Sequence, residues 1–225
     1  MEEQIKKILA SGVHYPISFE IEAPFAMFSR PDSGSEKTSY PLPPFSVAKG
    51  IFESILYMPT VYVIPTKVQI CKPIKYYSYP FNYNGELRKK NLIKDGNTCQ
   101  IKTTILSNVC YRLFAYVINN NDQNVSEAAM KWQGVNHAHS YQEQFNRRLV
   151  RGQNCEKPFL GISEFLPSYV GVFREKTEIQ KDINFVLSSM VFFNFDSLNK
   201  GKHLKDNPFV SQNVEINQGE VQYVK

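Results

Sequence analysis

The hydrophobic period of this chain switches between two and nearly four residues several times, and that alternation restricts its fold more than any other feature. Ile17-Ser18-Phe19-Glu20-Ile21-Glu22 alternates apolar and polar, the period of a half-buried strand. After Pro41-Leu42-Pro43-Pro44 the period lengthens. Ala48, Ile51, Phe52, Ile55 and Leu56 recur at helical spacing, and Pro59 closes the helix. Val61-Tyr62-Val63-Ile64 and Val68-Gln69-Ile70 return to strand character, and Val109 to Ile118 is a further strand with aromatics on both faces. A second helix carries Tyr141, Phe145 and Leu149. Ser140 to Glu143 has capping-box spacing at its start, and Gly152 stands where a C-terminal cap belongs. Phe159-Leu160-Gly161 and Tyr169 to Phe173 then read as strands with glycine at the bends.

From residue 17 to about 173 this order fits the βαββαβ ferredoxin-like motif, so the expected class is α+β. The expected division is a ferredoxin-like domain over residues 13–173 and a small C-terminal antiparallel β extension over 174–225. In that extension Phe185 to Phe195 reads as a central strand, and Asn217-Gln218-Gly219 as the turn of a hairpin spanning Phe209 to Val224. Met1 to Ala10 is expected to form a short helix, and Pro31 to Lys37 an exposed loop. Residues 80–104, with Arg88-Lys89-Lys90 and Lys94, read as a long polar excursion.

Charge and cysteine usage narrow the partners. Twenty-six Lys and Arg against twenty-one Asp and Glu give +5, which permits a nucleic acid or an anionic surface without requiring either. Cys71, Cys99, Cys110 and Cys155 form no CxxC pair, so reduced thiols are expected. The acidic start Met1-Glu2-Glu3 does not read as a signal peptide, and the apolar run from Val186 to Phe193 is too short to span a bilayer. A cytoplasmic protein with no membrane partner is expected. His137 and His139 could begin a metal site, but no further ligands lie close in sequence, so neither a metal nor another cofactor is expected. No glycine-rich phosphate loop or nucleophile elbow supports small-molecule chemistry.

Three stretches carry a family likeness. Ser39-Tyr40-Pro41-Leu42-Pro43-Pro44-Phe45-Ser46-Val47-Ala48-Lys49-Gly50-Ile51, followed by Tyr57-Met58-Pro59, is the first. Leu106-Ser107-Asn108-Val109-Cys110-Tyr111 is the second. The third runs from Tyr141 through Arg147-Arg148-Leu149-Val150-Arg151-Gly152-Gln153 to Phe159-Leu160-Gly161-Ile162-Ser163-Glu164-Phe165. In this order they resemble the Cas-five family of CRISPR-associated proteins, in the form found in subtype I-C systems. The resemblance implies a RAMP-superfamily RNA-binding protein. It would cut CRISPR repeat RNA without metal, keep the 5′ handle of the guide, and stay with the other subunits of a type I surveillance complex.

Metal-free RNA cleavage needs a base for the 2′-hydroxyl, an acid for the leaving 5′ oxygen, and cationic donors for the phosphate. The site that the family implies falls on Phe45, Ser140 and Tyr141, and Phe45 cannot transfer a proton. His139, with His137 and Tyr141 beside it, is the substitute candidate, since histidine titrates near neutral pH. Packing of Tyr141 above Phe145 is the competing reading. If the substitutions abolish cleavage, the protein is a non-catalytic subunit that caps the guide's 5′ handle. Arg147, Arg148 and Arg151 crowd the end of the second helix and suit RNA phosphates, although the helix C-terminus also accounts for one of them. Lys49 and Arg112 are further RNA-binding candidates. Tyr111, Arg112, Phe114 and Tyr116 straddle both faces of one strand, so about half should be core and the rest available to stack bases.

Overall fold

A computed structural model describes residues 14–34, 36–82, 100–120, 136–193 and 209–223. The helix expected over Met1 to Ala10, the Arg88-Lys89-Lys90 run, Lys94 and Cys99 lie outside the described residues. In chain order the elements are β1 (Tyr15–Ala26), α1 (Phe45–Ile55), β2 (Val61–Ile70), β3 (Tyr76–Asn82) and β4 (Gln100–Asn119). They continue with α2 (His137–Arg151), β5 (Tyr169–Gly171), β6 (Phe185–Phe193), β7 (Phe209–Ile216) and β8 (Glu220–Gln222). The main sheet runs β5-β1-β4-β2-β8, with β3 paired to β4, and every pairing between these strands is antiparallel. The fold is therefore mixed α and β, with a mostly antiparallel sheet and two helices among the described residues.

Strand alternation decides which face is core. Ile17, Phe19, Ile21 and Ala23 of β1 are buried on one side, with Tyr111, Leu113, Ala115 and Val117 of β4 beside them. Both helices lie on this face. α1 contributes Ala48, Ile51, Phe52 and Ile55, and α2 contributes Ala138, Tyr141, Phe145 and Leu149. Phe19 sits at the junction, edge-on to Phe52 at 4.8 Å and 6.1 Å from Phe145.

Several local expectations change. Residues 80–104 are not one excursion. Tyr76 to Asn82 and Gln100 to Leu106 form an antiparallel ladder, because the aromatics of β3 favour extended backbone and its edge position tolerates Pro80 opposite Lys102. α2 starts at His137, not Ser140, because the Asn136 side chain caps it by accepting from the His139 N–H at 3.2 Å. Ser140 instead accepts from Gln144 inside the helix. Phe159 to Gly161 is not a strand. β6 is not central in the main sheet, since among the described residues it pairs with β7 in a separate two-stranded sheet. The turn at Asn217 to Gly219 forms, but the two strands it joins part company: β7 stays with β6, while β8 pairs with β2.

Two glycines hold tight backbone. Gly152 caps α2 with φ +64°, and the space around its missing side chain is open. Gly161 has φ +89°, and a Cβ there would lie 1.8 Å from the Met27 carbonyl oxygen. This close approach lets the Met27 N–H donate to Leu160 at 3.0 Å and docks the segment after α2 onto the end of β1.

The face opposite the helices is held by one carboxylate. Glu20 is 0% exposed, facing Arg112 across the β1–β4 ladder. Arg112 Nε donates to it at 3.1 Å, Arg174 Nε at 2.6 Å and Thr177 Oγ1 at 2.8 Å. Arg112 Nη2 also donates to the carbonyls of Arg174 and Thr177, both at 2.9 Å. Arg174 reaches Glu22 as well, and Lys72 closes on Glu22 at 2.6 Å. The loop after β5 is thus fastened across the sheet. Burial by itself would raise the Glu20 carboxyl, but the hydrogen bonds from Arg174, Thr177 and Arg112 outweigh it and hold it below its ordinary 4.5.

A depressed carboxyl contributes stability that is fully present above pH 4.5 and lost as pH falls through the lower folded value. Urea unfolding should therefore show stability declining below pH 4.5, and Glu20→Gln should flatten that part of the profile. At neutral pH the same variant should cost about 2 kcal/mol, less than for a wholly buried pair because Arg174 is partly in solvent. By the same assay Gly161→Ala should cost more than about 2 kcal/mol, and Gly152→Ala only about 1 kcal/mol.

Candidate functional site

The start of α2 is pinned to the end of the sheet. The Ala138 N–H donates to Asn119 Oδ1 at 2.8 Å, and Gln142 Nε2 donates to the Pro16 carbonyl at 2.6 Å. This fixes where His137 and His139 sit. His139 is exposed and its ring stands edge-on to Tyr15 at 5.4 Å, while His137, two residues earlier, is half-buried. Asn136 Nδ2 donates to the Tyr15 hydroxyl at 2.6 Å. One corner thus holds an imidazole and a phenol, the kinds of group that can exchange protons with an RNA 2′-hydroxyl and a leaving oxygen, with the Asn136 amide positioning the phenol. Tyr15 was not a sequence candidate. Nothing local ties residue 15 to residue 139; the β1–β4 register, the helix cap and the Gln142–Pro16 bond bring them together.

Tyr141 is not in this corner. It is 0% exposed, stacked on Phe145 at 6.1 Å, and its hydroxyl donates to the Leu56 carbonyl at 2.5 Å. Burial pushes its phenol well above the ordinary range. The catalytic expectation for Tyr141 is corrected: the side chain is a core tyrosine that ties α2 to the end of α1. Phe45 is buried at the opposite end of α1, edge-on to Tyr223 at 6.0 Å. Eleven helical residues separate the two ends by about 16 Å, so the family-implied positions are not gathered at one point.

The basic candidates divide. Arg147 and Arg151 are exposed on the outer side of α2. Arg148 turns inward, donating to the Ile55 carbonyl at 3.4 Å and contacting Cys155 Sγ at 2.9 Å, so it caps the C-terminal end of α1. Lys49 pairs with Glu53 at 3.0 Å along its own helix. The Arg112 guanidinium is committed to Glu20 and two backbone carbonyls. Among the described residues no group of three or more His, Cys, Asp or Glu is placed to hold a metal ion. The described cysteines, Cys71, Cys110 and Cys155, are free.

The strand with aromatics on both faces resolves as alternation requires. Tyr111 is buried on the helix side, with its hydroxyl donating to the Pro41 carbonyl at 2.8 Å. Phe114 and Tyr116 are half-buried on the other face. Phe173, from the fastened loop, meets Phe114 at 5.4 Å, and Lys67 lies 4.5 Å over the Phe114 ring. His14 lies 4.2 Å from Tyr116.

A scan against protein-family models finds no match. The chain is 23% identical over 201 residues to the CRISPR pre-crRNA endoribonuclease Cas5d of Mannheimia succiniciproducens, covering 78% of this chain and 85% of that one. It is 27% identical over 146 residues to the CRISPR pre-crRNA endoribonuclease Cas5d of Thermus thermophilus, covering 64% and 58%. Among solved structures, a CRISPR-associated protein superposes with a TM-score of 0.67 at 19% identity, over 95% of both chains. A functionally uncharacterized protein from Streptococcus mutans gives 0.63 at 17% identity, over 94% of this chain and 93% of that one. Among the described residues no helix is long and apolar enough to cross a membrane. In sequence the chain is similar to Cas5d proteins, the group to which its three ordered sequence blocks point, and in fold it is similar to a CRISPR-associated protein.

Proposed function

We propose that this protein binds CRISPR repeat RNA, cuts the precursor without metal, and holds the 5′ handle of the guide within a type I surveillance complex in the cytoplasm. The observation that carries this is the likeness to pre-crRNA endoribonucleases over most of the chain, with the three family blocks in order. The strand order β5-β1-β4-β2, with both helices on one face, supports reading the core as a ferredoxin-like RAMP domain over residues 13–173. Residues 174–225 form its β extension in this reading, stitched back to the main sheet by β8.

His139 is the residue we assign to proton transfer, with Tyr15 as its neighbour and His137 in reserve. Its exposure and its place at a pinned helix start support the role. Tyr141 takes no part, since its hydroxyl is buried and bonded to backbone. Arg147 and Arg151 are the cations best placed for phosphate, with Arg148 holding the end of α1 and Lys49 a secondary contact.

A second reading, a non-catalytic handle-capping subunit, is favoured by one observation: Phe45 and Tyr141 leave no exposed titrating group at the inherited positions. Incubation of the protein with its own repeat RNA in EDTA separates the two. The first reading predicts one discrete cut ending in a cyclic phosphate, reduced at least about a hundredfold by His139→Ala. Tight binding with no cut selects the capping role, and a cut that survives His139→Ala removes His139 from the chemistry. Replacing Arg147 and Arg151 together with Gln should weaken RNA binding and reduce the slope of log affinity against log salt by about 1 to 2. An unchanged slope would take both out of the interface.

A further inference from the structure

The sheet face opposite the helices has an organisation that the cleavage corner does not explain. Along β4, Tyr116 and Phe114 point to this face two residues apart, about 7 Å along the strand. Phe173 extends the row beyond Phe114, and it is 37% exposed beside Val172 at 53%. Each ring of the row has a polar partner: Lys67 lies over Phe114, Arg112 lies 4.8 Å from the Phe173 ring, and His14 stands against Tyr116.

The position of Phe173 is imposed. The adjacent Arg174 is locked to Glu20 and Glu22, and Thr177 donates to the same carboxylate. A buried carboxylate gripped by two guanidiniums is a costly way to hold a surface loop, and a hydrophobic contact would hold it as well. Its result is an aromatic ring kept at the surface in a fixed place. β1 joins this face to the cleavage corner, since His14 lies on one side of the strand and Tyr15, beside His139, on the other.

We propose that Tyr116, Phe114 and Phe173 form a stacking site for unpaired bases of RNA running from the His139 corner over the start of β1. The inference rests on the RNA-binding reading above and deepens it. Arg112 covers one face of Phe173, and the exposed part of that ring can take a nucleobase whatever the base, which suits a single-stranded handle. The cations here are largely neutralised by Glu20, Glu22 and Glu220, as with Lys67 at 3.5 Å from Glu220. The site therefore contributes stacking more than counterion release. Arg147 and Arg151 lie on the helix side of the sheet, so the two contributions can be altered separately.

The test measures binding of the full chain to its own repeat RNA and to the same RNA with abasic sites in the handle. Wild type should bind the abasic RNA more weakly. Phe173→Leu, which keeps apolar volume without the ring, should bind intact RNA about tenfold more weakly, with an unchanged salt slope and little further loss on abasic RNA. Phe173→Tyr should restore binding. If wild type binds its repeat RNA and Phe173→Leu binds it equally, the stacking site is overturned while the RNA-binding reading stands. If wild type does not bind the repeat RNA, both are overturned.

Discussion

The grip of Arg112, Arg174 and Thr177 on Glu20 organises one whole side of this molecule. Glu20 lies in the middle of the main sheet, on the face away from the helices, where a lone carboxylate would be unstable. It is tolerable there because donors from three residues, Arg112 of β4 and Arg174 and Thr177 of the loop after β5, converge on it. The same bonds decide where the chain goes after β5, because the guanidinium of Arg112 also takes the carbonyls of residues 174 and 177. A single cross-strand position thereby sets the course of a loop about 150 residues further along the chain. Cys110 Sγ lies 3.7 Å from Arg174 Nη2 and 3.8 Å from Glu20, so the network also fills the space beneath the loop.

The sheet separates two kinds of surface. On the helix side, packing is apolar and leaves little freedom: Phe19, Phe52 and Phe145 interlock, and even the phenol of Tyr141 is drawn in to satisfy a carbonyl at the end of α1. On the other side, charge pairs and half-buried rings are laid out across the strands. The start of β1 is where the two meet, with Tyr15 against His139 and His14 against Tyr116. A strand sends neighbouring side chains to opposite faces, so this one segment places the Tyr15–His139 corner beside an aromatic row.

Much of the framework was legible from periodicity. The alternation from Ile17 to Glu22, the helical repeat from Ala48 to Ile55 and the Tyr141–Phe145–Leu149 stripe each state their buried face directly. The division of β4, with Tyr111 inside and Phe114 and Tyr116 on the other face, follows from the same rule. What periodicity could not supply was partner choice. Phe185 to Phe193 is as apolar as a central strand, yet among the described residues it pairs with β7 and not with the main sheet, because the apolar character of a strand does not say which sheet takes it. The capping box at Ser140 lost to Asn136, whose amide also reaches Tyr15 and so gains a tertiary contact that no local motif records. The candidate site shows the same limit. Nothing local signals that Arg112 will bond Glu20, 92 residues away in sequence, or that Tyr15 will meet His139, which is farther still.

The central claim is that the protein recognises the handle of its own repeat RNA. Equilibrium binding at fixed salt, comparing that RNA with one of identical length and hairpin but scrambled handle nucleotides, tests it most directly. The account predicts at least about tenfold tighter binding of the native handle, the discrimination expected from one or two specific base contacts. Equal affinity for the two RNAs would reduce the interaction to backbone electrostatics and contradict the account.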